Sequence, residues 1–116
     1  MPPTSLEQLR ARRAYSLREY PDRAVSLPTM IQVNGLLSTW AFLLSKKETA
    51  LLEILAEHLW FSERGAGEPP TPRAMFDGWL GLSHQQLTGP RLRRLTEEAL
   101  AFSVWLKRAA QAAGGK

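Results

Sequence analysis

Residues 27–47, LPTMIQVNGLLSTWAFLLSKK, make the longest apolar run of the chain and limit its fold more than any other stretch. Beyond Gly35 the large side chains fall at Leu36, Leu37, Trp40, Leu43 and Leu44, a three-and-four spacing that predicts a helix. Ser38, Thr39 and Ala41 leave only small side chains on the remaining surface, so neighbours are expected to wrap this helix on most sides. The run is too short, and too broken by Gln32, Asn34 and Gly35, to cross a bilayer. Two readings compete for its first part. Asn34-Gly35 between apolar residues is a hairpin signal, and Ile31-Gln32-Val33 alternates as a strand does. Against this, no partner strand comes after Gly35, and a two-stranded ribbon alone is marginal. Helix is the favoured reading. Pro28 then takes a first-turn position, and Asn34-Gly35 becomes a break or a tight backbone approach within a helical segment.

The remainder also reads as helices. Thr4 or Ser5 is placed to cap a first helix, with Glu7 and Gln8 in its opening turn. Leu6, Leu9, Ala14, Leu17 and Tyr20 carry the helical period until Pro21 stops it near Tyr20, and Asp22 is placed to cap the next element. Leu51, Leu52, Leu55, Leu59 and Trp60 form a second stripe. Gly65 to Pro72, GAGEPPTP, is a loop by composition and is expected to be flexible. Pro72 to Leu80 predicts a short helix burying Met75, Phe76, Trp79 and Leu80. Gly81 to Gly89 is a connection in which Ser83 is placed to cap a turn through Leu87. Pro90 opens a last helix with Leu92, Leu95, Ala99, Phe102 and Leu106 on one face, and residues 113–116 are expected to fray. The expectation is an all-α fold, a compact bundle of about five helices in a single domain over residues 1–116. A chain of this length buries roughly 65% of its unfolded surface, enough for a core without staples.

Chemistry is sparse. The chain has no cysteine, which excludes a disulfide scaffold, a cysteine nucleophile and cysteine-ligated zinc, and fits a reducing cytoplasm. No basic start leading into an apolar core marks a signal peptide. His58 and His84 lack metal-ligand spacing, and Asp22 and Asp77 stand alone. Nothing supplies a nucleophile, a base and an oxyanion hole together. The expectation is a non-enzyme without metal or cofactor. No zinc finger, basic zipper or clean helix-turn-helix is visible either. Trp40, Trp60 and Trp105 fall in amphipathic registers and are expected to pack rather than to stack bases.

Charge distribution says more. Residues 1–47 carry a net +4, residues 48–68 a net −4, residues 69–88 none, and residues 89–116 a net +4. Such a chain attracts a polyanion on one side, or its own copies acidic face to basic face. Lys47, Arg91, Arg93 and Arg94 are candidate phosphate contacts from charge alone; the three arginines stand at a helix N-terminus, against the macrodipole. Arg12, Arg13 and Arg18 read first as a solvated face and second as phosphate contacts. Glu53 and Glu57, one turn apart, are too few to bind a metal and are candidates for docking a basic patch on another copy.

Two blocks carry a resemblance. In the first, Leu27-Pro28 leads to Ile31, then to Asn34-Gly35-Leu36, then to WAFLLSK ending at Lys46. The second is LTEEALAFSVWLKRAAQA, with Trp105, Leu106, Lys107 and Arg108. ARRAY, at Ala11 to Tyr15, is compatible but less specific. Together they resemble the small subunit of the type III-B CRISPR effector, the Cmr complex. The resemblance implies a small all-helical, non-catalytic subunit of an antiviral ribonucleoprotein. Its copies would stack as a short filament beside the backbone subunit and help hold target RNA paired to guide RNA. Lys46, Lys107 and Arg108, standing in the matching blocks, become nucleic-acid candidates. The alternative is a free-standing basic helical DNA-binding regulator, which predicts a defined dimer and tight duplex binding. A third reading, a helical adaptor without nucleic acid, predicts that reversing Arg91, Arg93 and Arg94 leaves function unchanged.

Overall fold

The computed structural model describes residues 5–81 and 87–114. The turn expected to begin at Ser83 lies outside them, as do residues 1–4 and 115–116. Among the described residues there are six α-helices, one 3-10 turn and no strand, an all-α bundle as expected. None of its helices is long and apolar enough to cross a membrane.

Helix α1 spans Leu6–Tyr15. Ser5 and Gln8 close it with a reciprocal capping box: the Gln8 amide donates to Ser5 Oγ at 3.1 Å, and the Ser5 amide to Gln8 Oε1 at 2.9 Å. The helix stops five residues before the position that Pro21 suggests. Ser16 caps it through its hydroxyl, which donates to the Arg13 carbonyl at 2.9 Å. The Tyr20 hydroxyl then donates to the Ala14 carbonyl at 2.6 Å, a carbonyl that a longer helix would have paired with backbone. A 3-10 turn over Asp22–Val25 comes next; Asp22 lies inside it and does not cap it.

Helices α2, Leu27–Asn34, and α3, Leu36–Ser45, are the two halves of the central run. Gly35 separates them at φ 83°, ψ 170°, a conformation almost closed to residues with a Cβ. A Cβ there would meet nothing within 4 Å, so the glycine serves a break and not a close approach. Thr39, buried, ties α3 back across the break by donating to the Met30 carbonyl at 3.1 Å. Lys47 ends α3 in the left-handed region at φ 56°. Its amide donates to the Leu44 carbonyl and that of Glu48 to the Leu43 carbonyl, the two bonds of a Schellman turn normally built on glycine.

Helix α4 spans Thr49–Arg64 and is stopped by Gly65 in the left-handed conformation. Helix α5, Pro72–Trp79, is capped by Thr71. Helix α6, Gly89–Ala112, has Pro90 in its first turn, as expected, and Thr88 as its cap. At 24 residues it is about 36 Å long. It is α6, not the central run, that carries the bundle: α1, the 3-10 turn, α2, α3 and α4 all rest on it. Its inner side, Leu95, Ala99, Phe102, Leu106 and Ala109, is fully buried, with small alanines letting neighbours approach closely. Helix α5 packs on α3 and α4 instead. There Trp40 is wholly buried, meets Trp79 edge-to-face at 4.7 Å and donates from Nε1 to the Pro72 carbonyl at 3.0 Å. The body is flat, 40 × 39 × 25 Å. The central run is less fully wrapped than its composition suggests, since Phe42 stands 37% exposed.

Candidate functional site

Three helices meet at a charged cluster beneath the surface. Arg10 of α1 grips Glu98 of α6 with both arms of its fork, Nε to Oε2 at 2.8 Å and Nη2 to Oε1 at 2.7 Å. His58 of α4 reaches the same carboxylate through Nε2 at 2.8 Å, while Arg13 Nη1 lies 3.2 Å from its Nδ1. A guanidinium only donates, so Nδ1 accepts from Arg13 and the imidazole proton sits on Nε2, pointing at Glu98. The ring is 3% exposed and stacks on Phe102 at 3.9 Å, nearly parallel. Burial drives the His58 pKa below its usual 6.5, outweighing the pull of Glu98, and leaves the imidazole neutral. Burial pushes the Glu98 carboxyl up, but the hydrogen bonds from Arg10 and His58 together outweigh it and hold it at about 2. This His–Glu pair has the contacts of a catalytic dyad but little access: the imidazole, at the floor of a surface depression, is packed against Phe102, Arg13 and the carboxylate. It is a brace between α1, α4 and α6. The helical period put His58 beside an apolar stripe; its pairing with a residue 40 positions away left no trace in the spacing.

The surface cations divide. Arg91, a charge-based candidate, holds Glu63 bidentately, both contacts at 2.9 Å, and fastens the start of α6 to the end of α4. That ion pair accounts for one arginine placed against the macrodipole. Arg93 and Arg94, in the same turn, are exposed and have no side-chain partner among the described residues. Lys107 is half-buried. Arg108 is exposed, its guanidinium 5.1 Å from the centre of the Trp105 ring. Arg13 is turned inward to His58 and Phe61, whereas Arg12 and Arg18 face solvent.

A separate corner forms where the 3-10 turn, the end of α3 and the start of α4 converge. Lys46 and Lys47 are exposed there, and the Lys46 ammonium lies 5.8 Å from the centre of the Phe42 ring. Arg23, which sequence reasoning did not single out, lies over the same ring at 5.2 Å and donates from Nε to Glu48 at 3.0 Å. Lys46 stands four residues after Phe42, a helical-neighbour spacing legible in sequence; Arg23 arrives from a turn whose position was not. Glu53 and Glu57 are exposed on α4, forming a ridge between two surface depressions. No group of three His, Cys, Asp or Glu among the described residues is placed to hold a metal. Trp60 and Trp105 are half-buried against the core, as their registers suggested.

Residues 5–113 match the family model described as CRISPR-associated protein (Cas_Cmr5). Neither a curated protein nor a solved structure gives a significant match.

Proposed function

The chain belongs to the Cas_Cmr5 family of CRISPR-associated proteins, the small subunit of the type III-B Cmr complex, and from that premise we propose that it is a non-catalytic spacer and RNA-holding subunit. Copies stack along the backbone subunit of the cytoplasmic effector, each turning exposed cations toward the channel where target RNA pairs with guide RNA. The observation that carries the RNA-holding part is the set of surface cations with no carboxylate partner among the described residues: Arg93, Arg94, Lys46 and Lys47, with Lys107 and Arg108 further along α6. Such cations grip phosphates without reading bases, and the guide supplies the sequence. Stacking is supported by the flat body and by the Glu53–Glu57 ridge, which offers a basic patch on the next copy a complementary face.

Purification of the tagged protein from its native cells, with and without ribonuclease, tests this reading. Co-elution with larger effector subunits and short guide RNAs is the expected result. Elution alone, or with duplex DNA, defeats it and favours a DNA-binding regulator.

A further inference from the structure

We infer that the corner built by Arg23, Phe42, Lys46, Lys47 and Glu48 is a single-strand RNA site that takes one unpaired nucleotide, its base on Phe42 and its flanking phosphates on the cations. This deepens the reading above and rests on it.

Phe42 is 37% exposed and takes no part in the buried core, unlike the half-buried rings of Trp60 and Trp105, which pack against it. A large aromatic left outside the core serves the bundle little. Two cations lie within cation–π range of it, Arg23 at 5.2 Å and Lys46 at 5.8 Å. Three cations stand against one carboxylate, a local excess of two positive charges. Glu48 holds Arg23 by Nε alone, so the rest of the fork makes no hydrogen bond among the described residues. That arrangement fixes the guanidinium at the ring while leaving donors for a phosphate. Lys46 has no carboxylate partner, and its flexible stem lets the ammonium move from the ring to a phosphate as a base arrives. Lys47 follows it in sequence at the left-handed turn that ends α3 and is exposed. An exposed aromatic ring flanked by one anchored guanidinium and two flexible lysines suits a single strand, whose bases are free to stack, better than a duplex, whose bases are already stacked.

The test uses the full chain assembled in the effector, with target RNA carrying 4-thiouridine in an unpaired stretch. Irradiation is expected to join that uridine to Phe42. Phe42→Leu, which keeps an apolar residue and removes the ring, is expected to abolish the crosslink and weaken single-strand binding about tenfold. The salt dependence is expected to stay unchanged, and duplex binding with it. Lys47→Gln should instead lower the salt slope by about 0.7, one released counterion on a single strand. Crosslinks elsewhere together with wild-type binding by Phe42→Leu overturn the site. Loss of copies from the particle on Phe42→Leu, with crosslinks elsewhere, also overturns it and makes the corner a contact for the acidic face of a second copy. Failure of the wild-type chain to co-elute with effector subunits defeats the broader reading instead, so the two failures are told apart.

Discussion

The Arg10–Glu98–His58–Arg13 cluster and the Arg23–Phe42–Lys46–Lys47 corner are made of the same parts: basic side chains, an aromatic ring and one carboxylate. They differ in how the carboxylate is used. Glu98, 13% exposed at its side chain, accepts three hydrogen bonds and satisfies a guanidinium and an imidazole. Glu48, 30% exposed, takes one from Arg23 and nothing from either lysine. In the first the ring, Phe102, is a wall of the core; in the second the ring, Phe42, faces water. Positive charge consumed inside the molecule holds helices together, and positive charge left over outside is available to a polyanion. The two regions should therefore answer to different assays, one to unfolding and the other to RNA.

The largest effect is expected from Glu98→Ala. It leaves Arg10 and His58 without their shared acceptor in a partly buried site, at a cost of about 3 kcal/mol in a urea unfolding curve. Phe42→Leu should change the same curve by less than about 0.5 kcal/mol. If Phe42→Leu proved the more destabilising, the corner would be structural and the division would collapse.

Acid should sharpen the contrast. His58 is held neutral in the fold, its pKa below the ordinary 6.5, so the unfolded chain takes up a proton first. Its contribution is complete above pH 6.5 and is lost as the pH falls toward the depressed native value. Glu98 responds at lower pH: held at about 2 against an ordinary 4.5, its share is complete above 4.5 and is lost as the pH falls toward 2. Urea midpoints should drop from pH 7.5 to pH 5, and His58→Gln should flatten that upper window while leaving the lower one. An unchanged slope in the variant would show that His58 is not the group that titrates.

Arg91 tests the boundary between the regions, since it sits on the surface yet behaves as an inner residue. Arg91→Gln should cost about 1 kcal/mol by releasing Glu63 and leave the salt slope of target binding unchanged. Arg93→Gln with Arg94→Gln should do the reverse, with little effect on stability and a slope smaller by about 0.7 for each cation in contact. Equal slopes for all three arginines would mean that the Glu63 pair opens to admit RNA.

Sequence separates these regions poorly, and the reason is physical. Helical periods are local, so the break at Gly35, the short α5 and the proline-started α6 were all legible in it. The Asn34-Gly35 hairpin signal was outvoted by the helical period beyond it. What decides an arginine's role is its partner, and the partners lie far along the chain: Glu98 is 88 residues from Arg10 and Glu63 is 28 from Arg91. The stop of α1 at Tyr15 is hidden for the same reason, since Tyr20 folds back onto Ala14 from beyond the end of the helix. Lys47 is singled out by charge, which is visible in sequence, and Lys46 by its place in the block that carries the resemblance. Arg23 is not, because nothing local brings a 3-10 turn to the end of α3.

One expected effect on stability has the opposite sign. Lys47 occupies a left-handed position that costs a residue with a Cβ about 1 kcal/mol and costs glycine almost nothing. Lys47→Gly should therefore raise stability by up to that amount, and in the same protein lower the salt slope of target binding by about 0.7. Most surface losses weaken both properties or neither. A variant that folds better and holds RNA worse would show that a lysine is kept there against the preference of the backbone, for the sake of its charge. If Lys47→Gly gained stability and bound RNA as before, the positive charge at that turn would be incidental, and the outward-facing corner would shrink to Arg23, Phe42 and Lys46.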